Sequence, residues 1–164
     1  MASRRLLLKK VGLLSIVSLS GCINKIGGST DGRNVPTVTQ DCDASARPDG
    51  KYPSFPREIT RNNVEGFVLK FEKAWVQAEI NDSGDNFSGF DGWDSSVYQE
   101  LDNGFFVTTR ISADYSSGKN EEGGTDLGSE VFSAWYYINS DFAFRSQRDT
   151  DEPPNNGWQT VACA

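Results

Sequence analysis

The chain has 164 residues and no histidine, and its single methionine is the initiator. Without histidine there is no imidazole to act as a general base near neutral pH or to complete a Ser-His-Asp triad. Most zinc and copper sites in proteins also use imidazole ligands. These absences exclude the commonest hydrolase mechanism and most transition-metal sites, and we expect no cofactor.

The basic N-terminus contains no acidic residue and includes the pair Arg4 and Arg5. This pair lies in the run Ser3–Lys9, which is similar to the twin-arginine export pattern Ser-Arg-Arg-x-Phe-Leu-Lys with leucine in place of phenylalanine. The apolar run that follows, Val11–Leu19, is shorter than the about 20 residues that a membrane-spanning helix needs. We interpret residues 1–21 as a twin-arginine signal peptide, and the alternative is an uncleaved anchor helix.

Cys22 follows Leu19 and the small residues Ser20 and Gly21, which is the order found in a lipobox. Small residues give a signal peptidase access to the bond before the cysteine, whose thiol then carries a lipid. The sequence therefore predicts a mature protein that is held by its first residue on the extracellular side of the cell membrane. Residues 22–41 are rich in Gly, Ser, Thr and Asn and are expected to form a flexible tether to a single domain at 42–164.

Basic residues are scarce in the predicted mature chain. Four of the 16 Lys and Arg residues lie in the signal peptide, which leaves twelve against 23 Asp and Glu, a net charge of −11. An acidic surface repels nucleic acid and anionic lipid, so neither is an expected partner. Acid excess with few lysines is typical of proteins from salt-loving archaea, whereas the 12% aromatic content favours a packed core over a disordered tail.

Cysteine is scarce as well, since Cys42 and Cys163 are the two that remain once Cys22 carries a lipid. In an oxidising exterior such a pair favours a disulfide. The closed loop of about 120 residues would stabilise the fold by on the order of 4–5 kcal/mol in the chain-entropy model. Two free thiols are the alternative. A redox or metal role is disfavoured, because the chain contains neither a CxxC motif nor histidine.

The clearest secondary-structure signal is an amphipathic helix after the proline-containing segment 43–58. Thr60 is a favourable N-cap and Asn81–Gly84 ends the helix. Between them, apolar residues recur at spacings of three and four and form one stripe. The stripe consists of Val64, Phe67, Val68, Phe71, Ala74, Trp75 and Ala78. Polar residues lie off this stripe: Glu65, Lys70, Glu72, Lys73, Gln77 and Glu79.

After the helix the period of the apolar residues changes to two, which is typical of β-strands. The predicted strands are Ser96–Leu101, Phe105–Tyr115, Glu130–Ile138, Phe142–Gln147 and Trp158–Cys163. Asn103-Gly104 favours a hairpin between the first two strands, and loops are expected at 116–128 and 149–157. The sequence predicts an α+β fold with one long amphipathic helix on a four- to five-stranded antiparallel sheet, cystatin-like or NTF2-like in outline.

Several short runs and single residues together form one pattern along the chain: Phe55–Thr60, Asn63–Val68, Phe71–Ala74, Ala134–Ile138, Arg145 and Cys163. Together they resemble a group of uncharacterised haloarchaeal cell-surface lipoproteins. The resemblance covers about residues 42–163 and implies an envelope location. It carries over no catalytic residue, because the group has no assigned activity.

The stretch 81–94 is the most suggestive for chemistry. Its acidic residues, with Asn86, are hard oxygen ligands of the kind that Ca²⁺ prefers, but their spacing does not match an EF-hand, so a solvated acidic loop is the favoured interpretation. Asn81 and Asn86 also begin two N-glycosylation sequons. Further along, Glu121, Glu122 and Asp126 lie in a predicted Gly-rich loop, and paired carboxylates of this kind occur in glycosidases. Nothing nearby holds them rigidly, so a solvated loop is again the favoured interpretation.

The predicted third strand, Glu130–Ile138, is apolar on both faces, so the face turned away from the helix needs a cover. The segment 43–58 or the long loops provide one in the first interpretation. In the second, the face stays open as an aromatic binding surface that includes Arg110, Tyr136 and Arg145.

Two classes of function follow. The first is a non-enzymatic module, tethered through the lipid on Cys22, that binds an envelope protein or glycan. The second is a small hydrolase or isomerase of NTF2-like shape that uses Asp and Glu. An accessory solute-binding lipoprotein is a further alternative. A conical pocket between helix and sheet with inward-facing carboxylates would favour the enzyme. An interior filled by side chains would favour the binding module.

Overall fold

The computed structural model describes residues 35–36, 42–119 and 124–164. All of them belong to one unit formed by contacts within Arg33–Ala164. The predictions for Arg4, Arg5, Cys22, Glu121 and Glu122 lie outside the described residues, as does most of the predicted tether.

Within the described residues, one helix and five strands follow each other. The elements are α1 (Arg61–Asp82), β1 (Asn86–Leu101), β2 (Gly104–Lys119), β3 (Thr125–Ile138), β4 (Phe142–Ser146) and β5 (Gln159–Cys163). Each strand pairs antiparallel with the next, which gives an open sheet in the order β1-β2-β3-β4-β5. The predicted α+β fold, with one helix on an antiparallel sheet, is confirmed.

The start of α1 is fixed by local hydrogen bonds. Thr60 has an extended backbone and serves as the N-cap, and its N–H donates to the Oδ1 of Asn63 at 2.9 Å. The Thr60 carbonyl accepts the first bond of the helix from Val64 N–H at 3.0 Å. The helix ends at Asp82, and Gly84 follows with a φ of 91°, a conformation that favours glycine.

The inner core lies between α1 and the face of the sheet formed by alternate residues of β2 and β3. Three side chains from the chain before the helix pack on it, Tyr52, Phe55 and Ile59. Val97 of β1 also packs on it, and its buried members are Val64, Phe67, Val68, Phe71, Trp75, Phe105, Val107, Ala134, Tyr136, Ile138, Ala143, Val161 and Ala162. A smaller cluster of Val76, Ile80, Ala113 and Phe132 continues it toward the C-terminal end of the helix. The proline-containing segment therefore covers the helix side of the sheet.

A second, outer cluster covers the opposite face of the sheet. Phe106, Tyr137 and Phe144 are its buried members, and Val35 and Trp158 pack against it. The long loop 149–157 lies at the same face, since Trp135 Nε1 donates to the Thr150 carbonyl at 3.0 Å. Of the two expected covers, the long loop is therefore the one that closes this region.

Two predicted loops are largely strand. Residues 86–94, expected to be a solvated acidic loop, form the first half of β1, and residues 116–119 and 125–128 extend β2 and β3. Their Ser, Gly and Asp residues have low strand propensity, but pairing with a neighbouring strand outweighs it. Register shifts between Phe87 and Gly89 and between Phe90 and Gly92 accommodate the irregular stretch of β1.

The turn between β1 and β2 also differs slightly from the expectation, because Leu101 pairs with Gly104 and the connecting residues are Asp102 and Asn103. Gly104 is needed there for space. A Cβ at this position would lie 2.5 Å from the carbonyl oxygen of Ile138 on β3 and 3.0 Å from the ring of Tyr137.

β1 is an edge strand, and its outer edge is partly closed by the helix. Glu65 on α1 accepts the Val97 N–H through its Oε1 at 2.8 Å, and its carbonyl accepts the Ser95 hydroxyl at 3.3 Å. Carboxylates and register shifts along an edge are common protections against pairing with another chain.

Cys42 and Cys163 form a disulfide with their Cα atoms 6.2 Å apart, within the usual range for such bonds. The bond joins the beginning of the described domain to the end of β5 and encloses α1 and all five strands. The predicted disulfide is confirmed.

We predict that the double variant Cys42→Ser/Cys163→Ser unfolds at lower denaturant concentration. The loss of free energy of unfolding should be on the order of 4 kcal/mol, because the unfolded chain regains the freedom of a long loop. Denaturant titration of variant and wild type measures it, and thiol labelling of the folded wild type should give no signal from either residue. Equal unfolding midpoints would contradict the prediction.

Candidate functional site

A buried ion pair joins α1 to β4. Arg145 Nε donates to Glu72 Oε2 at 2.8 Å, and Arg145 Nη2 donates to Glu72 Oε1, also at 2.8 Å. The side chains are 0% exposed for Glu72 and 2% exposed for Arg145. Two parallel charge-assisted hydrogen bonds fix both the distance and the angle between the helix and the strand.

Two aromatic residues complete this cluster. The Tyr136 hydroxyl donates to Glu72 Oε2 at 2.5 Å, and the guanidinium carbon of Arg145 lies 4.3 Å from the ring centre of Trp75. Their positions follow from the elements: Tyr136 and Arg145 are cross-strand neighbours on β3 and β4, while Glu72 and Trp75 are three residues apart on α1. We call these four residues the Glu72 cluster.

The charges of the cluster control its protonation. Burial by itself would lower the pKa of Arg145, but the hydrogen bonds and the negative charge of Glu72 outweigh it and raise that pKa above its ordinary value. Burial, followed by the charge of Glu72, raises the pKa of Tyr136 well above 10. The guanidinium of Arg145 is therefore charged and the phenol of Tyr136 neutral at all moderate pH values.

The backbone of α1 lies close to β1, β2 and β3, and within the described residues it makes no comparable approach to β4 or β5. Long side chains bridge the gap at the Glu72 cluster. Beside them a cleft of about 410 Å³ remains open. Its lining comes from the segment before the helix, from α1, from the β4 end and from β5: Ala46, Pro48, Trp75, Glu79, Arg145, Ser146, Gln147, Arg148, Gly157 and Gln159.

Polar groups dominate this cleft. Glu79 accepts the indole N–H of Trp75 through its Oε2 at 3.1 Å, and Arg145 Nη1 donates to Gln147 Oε1 at a long 3.4 Å. Arg148 donates through Nη2 to Asn156 Oδ1 at 3.1 Å. A Cβ on Gly157 would lie 3.2 Å from Arg148 Nη2, and its φ of 81° also requires glycine, so this residue leaves room for the guanidinium.

The structure separates the three residues expected to form an open binding face. Arg110 is exposed on the outer face of β2, 3.8 Å from Asp149, whereas Tyr136 and Arg145 are buried on the inner face. The correction has a simple cause, since Tyr136 and Arg145 lie on the strand face that packs under α1, where Glu72 satisfies both.

Glu72 itself was expected on the polar side of the helix and is buried instead. A sequence signal for it did exist. Arg145 lies in the short apolar strand Phe142–Ser146, where a lone charge needs a partner of opposite sign, and Glu72 follows the apolar Phe71 directly.

No protein-family model, curated protein or solved structure matches this chain. The assignment of the site therefore depends on the geometry of the chain itself.

The other sequence candidates lie apart from the cleft. Asn81, at the end of α1, and Asn86, at the start of β1, are both exposed. In the part of the chain that the structure describes, no three His, Cys, Asp or Glu side chains form a group suited to a metal ion. Within the same ranges, no helix has the length and hydrophobicity needed to cross a membrane.

Substitution of one partner should show how much depends on the ion pair. Glu72→Ala leaves the Arg145 charge buried without a partner, so we expect the free energy of unfolding to fall by about 3–5 kcal/mol. Tyr136→Phe removes one hydrogen bond and should cost about 1–2 kcal/mol. Denaturant unfolding measures both, with Glu152→Ala at an exposed position as the control. A Glu72→Ala cost as small as that of the control would contradict the buried pair.

Alkaline pH gives an independent test. Because the pKa of Tyr136 is raised, the stability it contributes is fully present below pH 10 and is lost as the pH rises toward the folded value. Burial also raises the pKa of Tyr52, to about 12. Tyrosinate absorbance should therefore lag behind that of free tyrosine until circular dichroism reports unfolding, and Tyr136→Phe should flatten the decline in stability above pH 10. Ionisation of all five tyrosines near pH 10 in a folded protein would refute this.

Proposed function

We propose that this chain is a lipid-anchored protein on the extracellular side of the cell membrane, and that its domain binds another molecule without catalysing a reaction. The anchor is supported by the sequence order of Arg4, Arg5, an apolar run and the lipobox before Cys22. The same elements, with the resemblance to haloarchaeal surface lipoproteins, support the location.

The non-enzymatic part of the proposal is supported by the interior of the domain, where the described residues include no buried carboxylate that is free to react. Among the described residues, Glu72 is the one fully buried carboxylate, and Arg145 and Tyr136 occupy both of its oxygens. An Asp/Glu-dependent hydrolase or isomerase of NTF2-like shape needs an inward carboxylate that is free to exchange a proton. The interior beneath α1 is instead filled by the inner core, which favours the binding module over the enzyme.

The cleft beside Arg145 also supports the alternative function, an accessory solute-binding lipoprotein. Its volume of about 410 Å³ falls in the range of small-molecule sites, and its wall contains several polar side chains. Binding of a solute and binding of an envelope glycan use the same kind of surface, and both are consistent with a non-enzymatic module.

Anchoring is tested by Cys22→Ser. The variant should leave the membrane fraction, because the thiol that carries the lipid is gone, whereas Asn24→Ser should remain with the membranes. Cell fractionation measures the distribution, and protease treatment of intact cells reports the exposed side. Retention of the Cys22→Ser variant in the membrane would refute the lipobox assignment.

The binding role is tested on intact cells with a photo-crosslinking residue at one exposed position at a time. Suitable positions are Gln159 in the cleft, Val131 on the outer face of the sheet and Gln77 on the helix. A binding module should give a discrete adduct from one position and background from the others. Background from all three positions would argue against it.

A further inference from the structure

We propose that the cleft between α1 and the β4–β5 hairpin is a binding site for a neutral polyhydroxylated ligand, a saccharide unit, with Arg145, Gln147, Arg148, Gln159 and Glu79 as its polar contacts. The inference rests on the proposed binding function and names the ligand chemistry of one site.

The first argument is the unused hydrogen-bonding capacity of Arg145. A guanidinium has five N–H groups, and the contacts within the described part of the chain use three of them, two on Glu72 and one on Gln147. The residue is 2% exposed yet lines the cleft. A buried donor of this kind is held rigidly by Glu72 and by the Trp75 ring, so a ligand oxygen meets it without reorganisation.

The second argument is the balance of charge. Glu72 neutralises Arg145, and the remaining charged side chains of the cleft, Arg148 and Glu79, have opposite signs. A simple anion would meet Glu79 and a predicted mature chain with a net charge of −11, and a simple cation would meet two guanidinium groups. A neutral ligand avoids both penalties.

The third argument is the mixture of donors and acceptors. The amides of Gln147 and Gln159 each donate and accept, Glu79 keeps its Oε1 as an acceptor, and the guanidinium groups donate. Hydroxyl groups also donate and accept, so several adjacent hydroxyls can satisfy this set at once. Pro48 and Ala46 form an apolar wall on which the carbon face of a sugar ring can lie.

The test uses the full lipoprotein in a detergent that has no sugar headgroup. It is titrated with glucose, galactose, mannose, N-acetylglucosamine and maltose, and with acetate and tetramethylammonium as charged probes. Tryptophan fluorescence reports binding because Trp75 lines the cleft, and calorimetry confirms it. Trp93→Phe, at a half-exposed position on β1, should leave the fluorescence response intact.

We expect saturable binding of at least one saccharide, with affinity reduced about tenfold by Gln159→Ala and by Arg148→Ala, since each removes polar contacts of the ligand. Gln77→Ala and Arg57→Ala are matched controls at exposed positions outside the cleft and should not change the affinity. Both cleft residues lie at the surface, so these variants are expected to fold.

A second arm identifies the source of the saccharide. Glycans released from the envelope of the same cells are tested in parallel with the free sugars. Binding of the released glycans alone assigns the site to the envelope, and binding of free sugars assigns it to a solute; both outcomes support the proposal. Failure of both arms, response to acetate or tetramethylammonium alone, or equal affinity in the cleft variants would overturn it. If the saccharide site fails in this way but a crosslinked adduct forms at Val131 or Gln77, the proposed binding function stands and this cleft is rejected as its site.

Discussion

The ion pair between Glu72 and Arg145 determines how α1 is positioned relative to β4 and β5. The helix lies along β1, β2 and β3, and its backbone does not come close to β4 or β5. Glu72 and Arg145 bridge that distance with two hydrogen bonds, beside Ala143, Val161 and Ala162, which pack in the inner core. This contact, together with the packing of β4 and β5 residues in the inner core, holds the far edge of the sheet in line with the helix. The open cleft beside it is the space that the two long side chains leave unfilled.

A buried ion pair is weak evidence for stability, because the cost of taking two charges out of water roughly offsets their attraction. What it provides here is register. A shift of β4 by one residue would turn Arg145 to the outer face and leave Glu72 alone in the core. The Tyr136 hydroxyl and the Trp75 ring add to the same constraint, because each meets its partner in one alignment of the strands only. The Glu72 cluster therefore destabilises other strand registers more than it stabilises the native fold.

Periodicity in the sequence was sufficient to predict α1, β4 and the parts of β2 and β3 that pack under the helix. In these segments the apolar residues repeat with the period of the element. It failed at residues 86–94, where Ser, Gly and Asp give no strand signal and pairing with β2 decides the conformation. It also failed at Glu72, because a charged residue next to an apolar stripe looks like a surface residue until its partner is known. The partner is 73 positions away on β4, and the Gly157 loop that forms part of the cleft carries no pattern either.

The disulfide between Cys42 and Cys163 has a mechanical consequence for the proposed anchored state. A molecule attached to a surface at one end experiences tension whenever its partner moves. Force that arrives from the anchor would meet the covalent bond at Cys42, and the helix and strands of the described residues lie inside the loop which that bond closes. Part of the pull is therefore transferred to Cys163, so the enclosed chain is loaded from both of its ends at once. In that proposed state, α1 and the strands would share the load between two attachment points, and the domain would resist being unravelled from its N-terminal end alone.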